Sequence, residues 1–187
     1  MKLSKSGIDF LLSEEGFSPN AYADGGFYSI GYGHQIQPSE NYLLNATITR
    51  EQAQKIFQRD LIPREQAINN LVKVPINQNQ FDALISLIYN IGIGNFSGSS
   101  LLQSINSGAS EDEIRANWRK WNKSQGNVLE VLVNRREREL LMYFKKIYIS
   151  KTTLNYYGLA AILLIAGIIT LIIYLLFENE LFNTNTD

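Results

Sequence analysis

Cysteine is absent from the 187-residue chain, which excludes a disulfide framework, a thiol nucleophile and thiolate metal sites. Histidine occurs once, at His34, too few for a zinc cluster of the usual kind. No charge of one sign dominates: 17 basic against 18 acidic residues leave a net charge of −1, so the balance carries no footprint for nucleic acid. The opening stretch lacks an apolar run. Met1 to Phe10 carries Lys2, Lys5 and Asp9, and no cleavable secretory signal is read there. Internal repeats and low-complexity linkers are also missing. The length suits about one domain, large enough to bury most of its apolar side chains.

What is present is unevenly placed. Tyr156 to Phe177 holds no charged residue, and Thr170 is the only strongly polar side chain within it. A helix of that length, at ~1.5 Å per residue, spans roughly 30 Å, the thickness of a bilayer's hydrocarbon core. Tyr156, Tyr157, Tyr174 and Phe177 lie near its ends, where aromatic rings favour the membrane interface. The bland alternative is a buried core helix or a tail packed on a partner, but a soluble helix this long needs a polar face. Arg135, Arg136, Arg138, Lys145, Lys146 and Lys151 precede the run, and Glu178, Glu180 and Asp187 follow it. The positive-inside rule then places the N-terminal part on the cytoplasmic side of a single-pass membrane protein. Ala166 and Thr170 have the small-residue spacing of a helix pairing face.

Caps and glycines lay out the rest. Ser6 to Asp9 has capping-box form ahead of Leu11 and Leu12, and Gly16 closes that helix. In Ala21 to Gln37, Tyr, Phe and Ile alternate with Gly and Ser, as in a small antiparallel sheet turning at Gly25-Gly26. Thr49 and Gln52 cap a helix that Pro63 ends or kinks, and Pro75 ends the next piece. Asn77 and Gln80 cap an amphipathic helix bearing Phe81, Leu84, Ile85 and Ile88, stopped by Gly92. Ser97 or Ser99 starts another around Leu101 and Ile105. Ser110 and Glu113 cap a helix carrying Trp118 and Trp121, and a last helix holds Leu132, Leu140, Leu141 and Phe144. A helix, a gathered set of strands and a helical lobe make an α+β architecture, with a ligand cleft expected between lobes.

The candidate chemistry sits around the sheet. Glu15 ends the first helix, Asp24 stands at the turn, and Ser29 lies in the sheet ahead of Ile30-Gly31-Tyr32-Gly33-His34. Glycosidic cleavage needs one carboxylic acid to protonate the leaving oxygen. A second carboxylate or polar group steadies the oxocarbenium-like transition state or places water. Glu15 and Asp24 approach from different elements, whose environments can push their proton affinities apart. Most such pairs are merely surface carboxylates, and Glu14 competes with Glu15 for the role.

Glu15-Gly16, Ala21-Tyr22-Ala23-Asp24 and Ser29-Ile30-Gly31-Tyr32-Gly33-His34 resemble the active-site signature of the bacteriophage lysozyme and endolysin family of glycoside hydrolases. Val74 to Leu84 with Tyr89-Asn90-Ile91-Gly92 resembles that family's central helix, and Leu132-Val133-Asn134-Arg135-Arg136-Glu137 its final helix. The three matches are in order and cover roughly residues 7 to 145. The resemblance implies a lysozyme-like fold: a small β-hairpin lobe, a mainly helical lobe and here an added transmembrane helix. The division is a hydrolase domain over 1–149, a linker over 150–155, the membrane helix over 156–177 and a short acidic tail over 178–187. It further implies hydrolysis of the β-1,4 bond between N-acetylmuramic acid and N-acetylglucosamine without a cofactor or metal. The catalytic set would be Glu15 as general acid, Asp24 and Ser29, with Arg135 near Glu15 and with Tyr89 and Asn90 lining the cleft. Two departures stand out. Ser29 replaces a threonine, keeping the hydroxyl but losing the methyl that stiffens the rotamer. The Asp24-to-Ser29 gap is one residue shorter than usual, and a displacement of about 1 Å can cost on the order of a hundredfold in rate.

Other residues carry two readings. His34 is a proton shuttle or, more plainly, a structural hydrogen-bonding group. Trp118 and Trp121 stack on sugars or belong to the core. The Arg135–Arg138 run touches lipid headgroups or wall peptides, or is a solvated or salt-bridged helix face. Three functions follow: a membrane-tethered muramidase (or a lytic transglycosylase of the same cleft), a non-catalytic wall-binding or structural membrane protein, and a lysis protein whose apolar span perforates membranes. The expected partners are peptidoglycan, a lipid membrane through 156–177, and the capsid or other membrane proteins of a virus particle. A cytoplasmic-side domain without an export signal cannot reach its own host's wall. That points to carriage in the membrane of a virus particle, opening a local path through the wall at entry or exit, or to the host membrane with another lysis protein breaking that membrane first.

Overall fold

Ser4, not Ser6, opens the first helix in the computed structural model, which describes residues 1–145. The Ser4 hydroxyl accepts the Gly7 N–H and caps α1 (Lys5–Glu15), which ends at Gly16. The same hydroxyl donates to Asp82 on a distant helix. That long-range bond selects Ser4, and the local capping-box pattern at Ser6 carried no trace of it. Three antiparallel strands follow, β1 (Ser18–Asp24), β2 (Phe27–Gly31) and β3 (His34–Gln35), in the order β1-β2-β3. Gly25 and Gly26 both adopt positive φ, as the tightest hairpin turn requires. This turn pairs Asp24 with Phe27 and Tyr22 with Ser29, and a register shift separates that stretch from the Ser18–Gly31 pair. A 3-10 segment (Pro38–Asn45) then leads to the helical lobe.

The helices are α2 (Arg50–Leu71), α3 (Gln78–Ile91), α4 (Ile93–Ser97), α5 (Ser100–Asn106), α6 (Glu111–Arg119) and α7 (Glu130–Tyr143). Thr49 with Gln52 and Asn77 with Gln80 form full capping boxes, and Ser99 and Ser110 cap α5 and α6. Pro63 neither ends α2 nor divides it, since the helix runs on to Leu71. The proline lies on the exposed side, while Phe57, Leu61 and Ile68 bury the inner face before and after it. Packing on both sides offsets the ~3 kcal/mol that an interior proline costs. Pro75 likewise ends nothing, because α2 has already closed at Val72. Trp121 falls beyond α6. A two-strand hairpin, β4 (Lys123–Ser124) with β5 (Asn127–Val128), separates it from α7. Strands of two residues are too short to show an alternating pattern.

α3 is the centre of the lobe. Every residue from Phe81 to Tyr89 is buried, so the helix is enclosed all round rather than on one face. α1, α2, α4 and α7 pack against it, each apolar side chain contributing about 1.5–3 kcal/mol. Its polar residues are satisfied: Asp82 by Ser4 and Gln78, Ser86 by Glu139. Gly7 lets α1 approach this axis. A Cβ there would lie 2.6 Å from Leu3 Cδ1 and 2.7 Å from Asp82 Cγ.

His34 fastens the sheet to α2. Its Nδ1 is 2.8 Å from Asp60 Oδ2 and its Nε2 2.8 Å from Glu40 Oε2. Arg59 donates to the other Glu40 oxygen at 2.6 Å. With a carboxylate on each ring nitrogen, only the doubly protonated ring satisfies both contacts. Burial works against that charge, but the bonds to Asp60 and Glu40 outweigh it, and His34's proton affinity is raised. Glu40 is desolvated too, yet the His34, Gln37 and Arg59 contacts outweigh this and lower its pKa. The structural reading of His34 is therefore the one the geometry supports.

Residues 1–145 form one unit. Among the described residues no helix is long and apolar enough to cross a membrane. The expected span at 156–177, with its linker and tail, lies outside the described residues.

Gly7→Ala is expected to destabilise the fold by about 1–3 kcal/mol through overpacking, read as a lower urea midpoint; an unchanged midpoint contradicts the packing described. His34 gives a pH-resolved test. A raised histidine pKa stabilises fully below the unfolded value of 6.5 and loses that contribution as pH rises through the folded value. A lowered Glu40 pKa stabilises above 4.5 and loses it as pH falls through the folded value. The difference in unfolding free energy between the native chain and His34→Asn is therefore expected to peak between about pH 4.5 and 6.5. A difference independent of pH contradicts the double clasp.

Candidate active site

Glu15 is delivered by the last turn of α1, where Gly16 takes positive φ and turns the chain into β1. Its side chain is only 14% exposed. Arg135, from the first half of α7, donates through a terminal nitrogen to Glu15 Oε1 at 2.6 Å. The other oxygen faces Gly33, where an added Cβ would stand 3.2 Å from Glu15 Oε2. Gly33 has φ +78°, so both its backbone conformation and its closeness to that oxygen favour glycine there. Burial raises the Glu15 pKa, and Arg135 opposes it by charge and hydrogen bond without reversing the direction. The result is a carboxyl group biased toward holding its proton, as a general acid requires. Glu14, the competing residue, faces elsewhere: its carboxylate takes two hydrogen bonds from Arg138 at 2.6 and 2.8 Å.

Asp24 ends β1 and is exposed. Ser29, buried in β2, donates to Asp24 Oδ2 at 3.3 Å. The tight turn makes this possible. Pairing of Tyr22 with Ser29 and of Asp24 with Phe27 puts all four side chains on one face of the hairpin. Ser29 and Asp24 are thus in contact despite the shortened gap, through a hydroxyl that a serine supplies as well as a threonine.

Two grooves lie near this centre, reached through Gly33 in one and Asp24 in the other, while Glu15 and Ser29 line neither. The first, about 510 Å³, is lined by Gly33, His34, Glu40, Asp60, Tyr89 and Asn90, among others. The second, about 560 Å³, runs from Asp24 past Asn90 and Ile91 to Lys120, Trp121 and Lys123. Asn90 and Ile91, at the end of α3, border both. Asn90 is exposed there, while Tyr89 is buried and its hydroxyl donates to the Tyr32 carbonyl at 2.9 Å. Tyr89 therefore contributes wall rather than a free polar group. The Arg64 guanidinium lies 4.4 Å from its ring centroid, a cation-π contact. His34 borders the first groove with both ring nitrogens already engaged.

The two tryptophans divide. Trp118 is fully buried, and Trp121 is half-buried along the second groove. The Arg135–Arg138 run divides too: Arg135 and Arg136 are buried, and Arg138 is paired with Glu14. These arginines belong to the fold and do not form a free basic surface. Several neighbours of the site had no local signature: Arg64, Gly33's proximity to Glu15, and Glu139 behind Arg135. Among the described residues no cluster suited to a metal ion occurs.

Residues 12–139 match the family described as phage lysozyme. An endolysin of Bacillus phage PZA is 38% identical over 149 residues, covering 76% of this chain and 55% of the relative. The chain thus spans about half the length of that relative. An endolysin of Salmonella phage P22 is 39% identical over 145 residues, covering 76% of this chain and 98% of the relative. The solved muramidase domain of SpmX from Asticaccaulis excentricus superimposes with a TM-score of 0.68 at 36% identity, covering 76% of this chain and 97% of that one. The α+β fold, with its small antiparallel sheet beside a helical lobe, is shared with such structures, and a match over this much of the chain decides the question: the chain belongs to the phage lysozyme family.

Proposed function

We propose that this chain is a muramidase that cleaves the β-1,4 bond between N-acetylmuramic acid and N-acetylglucosamine in peptidoglycan. The observation that carries the reading is Glu15: a buried carboxyl group with raised proton affinity, one oxygen held by Arg135 and the other turned toward Gly33, which itself lines a groove. In the proposed reaction Glu15 gives its proton to the glycosidic oxygen as the bond to the anomeric carbon breaks. Asp24, exposed at the end of β1, steadies the positive charge that develops on the sugar. Ser29 holds Asp24 in orientation and helps place the water. Asn90 and the Tyr89 wall line the path of the glycan, and the chemistry calls for no cofactor. Trp121 offers a sugar-stacking face at the second groove.

The tether belongs to this reading. The uncharged run from Tyr156 to Phe177 supports a membrane span. Its orientation now rests on fewer charges, because Arg135 and Arg136 are buried and Arg138 is paired. Lys145, Lys146 and Lys151 before the run, against Glu178, Glu180 and Asp187 after it, still favour the N-terminal part on the cytoplasmic side. A host membrane or the membrane of a virus particle is the proposed location. Capsid or other virion membrane proteins are the proposed neighbours.

Purified chain incubated with peptidoglycan is expected to release reducing sugar. Glu15→Gln is expected to lower the rate by ~10²–10⁴-fold, the span for a lost general acid. Equal and negligible release from both contradicts the enzyme, and saturable wall binding without turnover would establish the non-catalytic alternative. Mass spectrometry separates hydrolysed ends from the anhydro ends of a transglycosylase. For the tether, the full chain is expected to stay with membranes through alkaline washing while a chain ending at residue 155 is released. Equal release contradicts the span.

A further inference from the structure

Behind Arg135 lies a second carboxylate. Glu139 of α7 is fully buried. Its Oε1 accepts from Ser86 Oγ at 2.8 Å, from Arg136 at 2.9 Å and from Arg135 Nε at 3.2 Å. Its Oε2 accepts from Trp118 Nε1 at 2.9 Å and stands 2.8 Å from Arg136 Nε, which is not aligned to donate. Arg135 is thus gripped on both sides. One terminal nitrogen reaches Glu15 and also the Ser86 carbonyl, at 3.2 Å, and its Nε reaches Glu139.

Charge counting gives this arrangement a purpose. With Glu15 protonated, the buried group holds two cations, Arg135 and Arg136, and one anion, Glu139. Without Glu139 it would hold two cations and no anion, which would favour the loss of Glu15's proton. Most of the groups facing Glu15 pull the same way or are neutral. Arg135 from α7 and Arg64 from α2 favour its ionised form, and Tyr89 from α3 and Tyr22 from β1 are uncharged near neutral pH. Asp24 at the end of β1 is exposed. Arg138 is already paired with Glu14. Glu139 is therefore the buried anion that can offset the cations at the acid.

We propose that Glu139 is a positioning residue for the reaction: its buried carboxylate fixes the Arg135 guanidinium and shares its charge, leaving Glu15 available as a proton donor. This rests on the reading of Glu15 as the acid. The direction of Glu139's influence on Glu15, toward the protonated form, agrees. Ser86 and Trp118 are neutral donors that keep Glu139's oxygens turned toward the arginines without adding charge.

The test uses the full chain and two readouts: the alkaline limb of the pH–rate profile on peptidoglycan, and the titration of the Glu15 side-chain carboxyl followed by carbon-13 NMR. Glu139→Gln keeps the shape and removes the charge. It is expected to move both readouts to lower pH by about 1 unit or more. Arg136→Gln removes the opposing cation and is expected to move both to higher pH. The double variant restores the charge balance and is expected to return them toward the native values. Structural loosening would move the two single variants in the same direction, and that outcome, or a Glu15 titration unmoved by either, overturns the proposal. If Glu139→Gln does not fold, the upward shift in Arg136→Gln carries the test. A chain without hydrolytic activity would remove the muramidase reading, while the NMR titration would still decide the role of Glu139.

Discussion

The ion pair between Glu15 and Arg135 is the constraint around which the molecule is arranged. It joins the end of the first helix to the last, 120 residues apart in sequence. It also sets two opposing demands. Burial pushes Glu15 toward its neutral form and the guanidinium pulls it toward the charged one. On the proposed reading of Glu15 as proton donor, burial alone would hold the proton too tightly, and pairing with Arg135 in water would release it too early. The observed arrangement is a buried pair in which Arg135 holds one carboxylate oxygen and the other lies toward Gly33.

That arrangement explains why so much of the helical lobe is polar at its centre. Asp82, Ser86, Arg135, Arg136 and Glu139 are all buried, at a desolvation cost that apolar residues of similar volume would avoid. Asp82 ties α1 to α3 through Ser4 and so fixes the helix that carries Glu15. Ser86 and Glu139 tie α3 to α7 and so fix Arg135. The enclosed α3 is the reference against which acid and guanidinium are both positioned. The sheet is held separately, through His34, Glu40 and Asp60, and it carries Asp24 and Ser29.

The fold was legible wherever a local signal and a long-range one agreed. Thr49, Asn77 and Gly92 mark helix ends by chemistry confined to a few residues, and Gly25-Gly26 turns a hairpin for reasons of backbone alone. Ser4, Pro63 and Trp121 were misread because contacts far along the chain decide them: Asp82 recruits Ser4, core packing carries α2 through Pro63, and the β4–β5 hairpin begins where the helix of Trp118 was expected to continue. For the site, Glu15, Asp24, Ser29 and Arg135 were singled out as candidates through motif resemblance, and the structure brings Glu15 to Arg135 and Asp24 to Ser29. Glu139 was invisible. In sequence it is one more acid in a charged helix, and only its burial against Ser86, Trp118 and two arginines distinguishes it.

The measurement that bears most directly on this account is the titration of the Glu15 side-chain carboxyl in the native chain, followed through its isotopically labelled carbon. The account predicts a midpoint above 4.5, the value of an unperturbed glutamate, with the carboxyl still partly protonated where solvent-exposed acids are fully ionised. A midpoint at or below 4.5 would mean that Arg135 prevails over burial, and Glu15 could not then serve as the proton donor on which the reading depends.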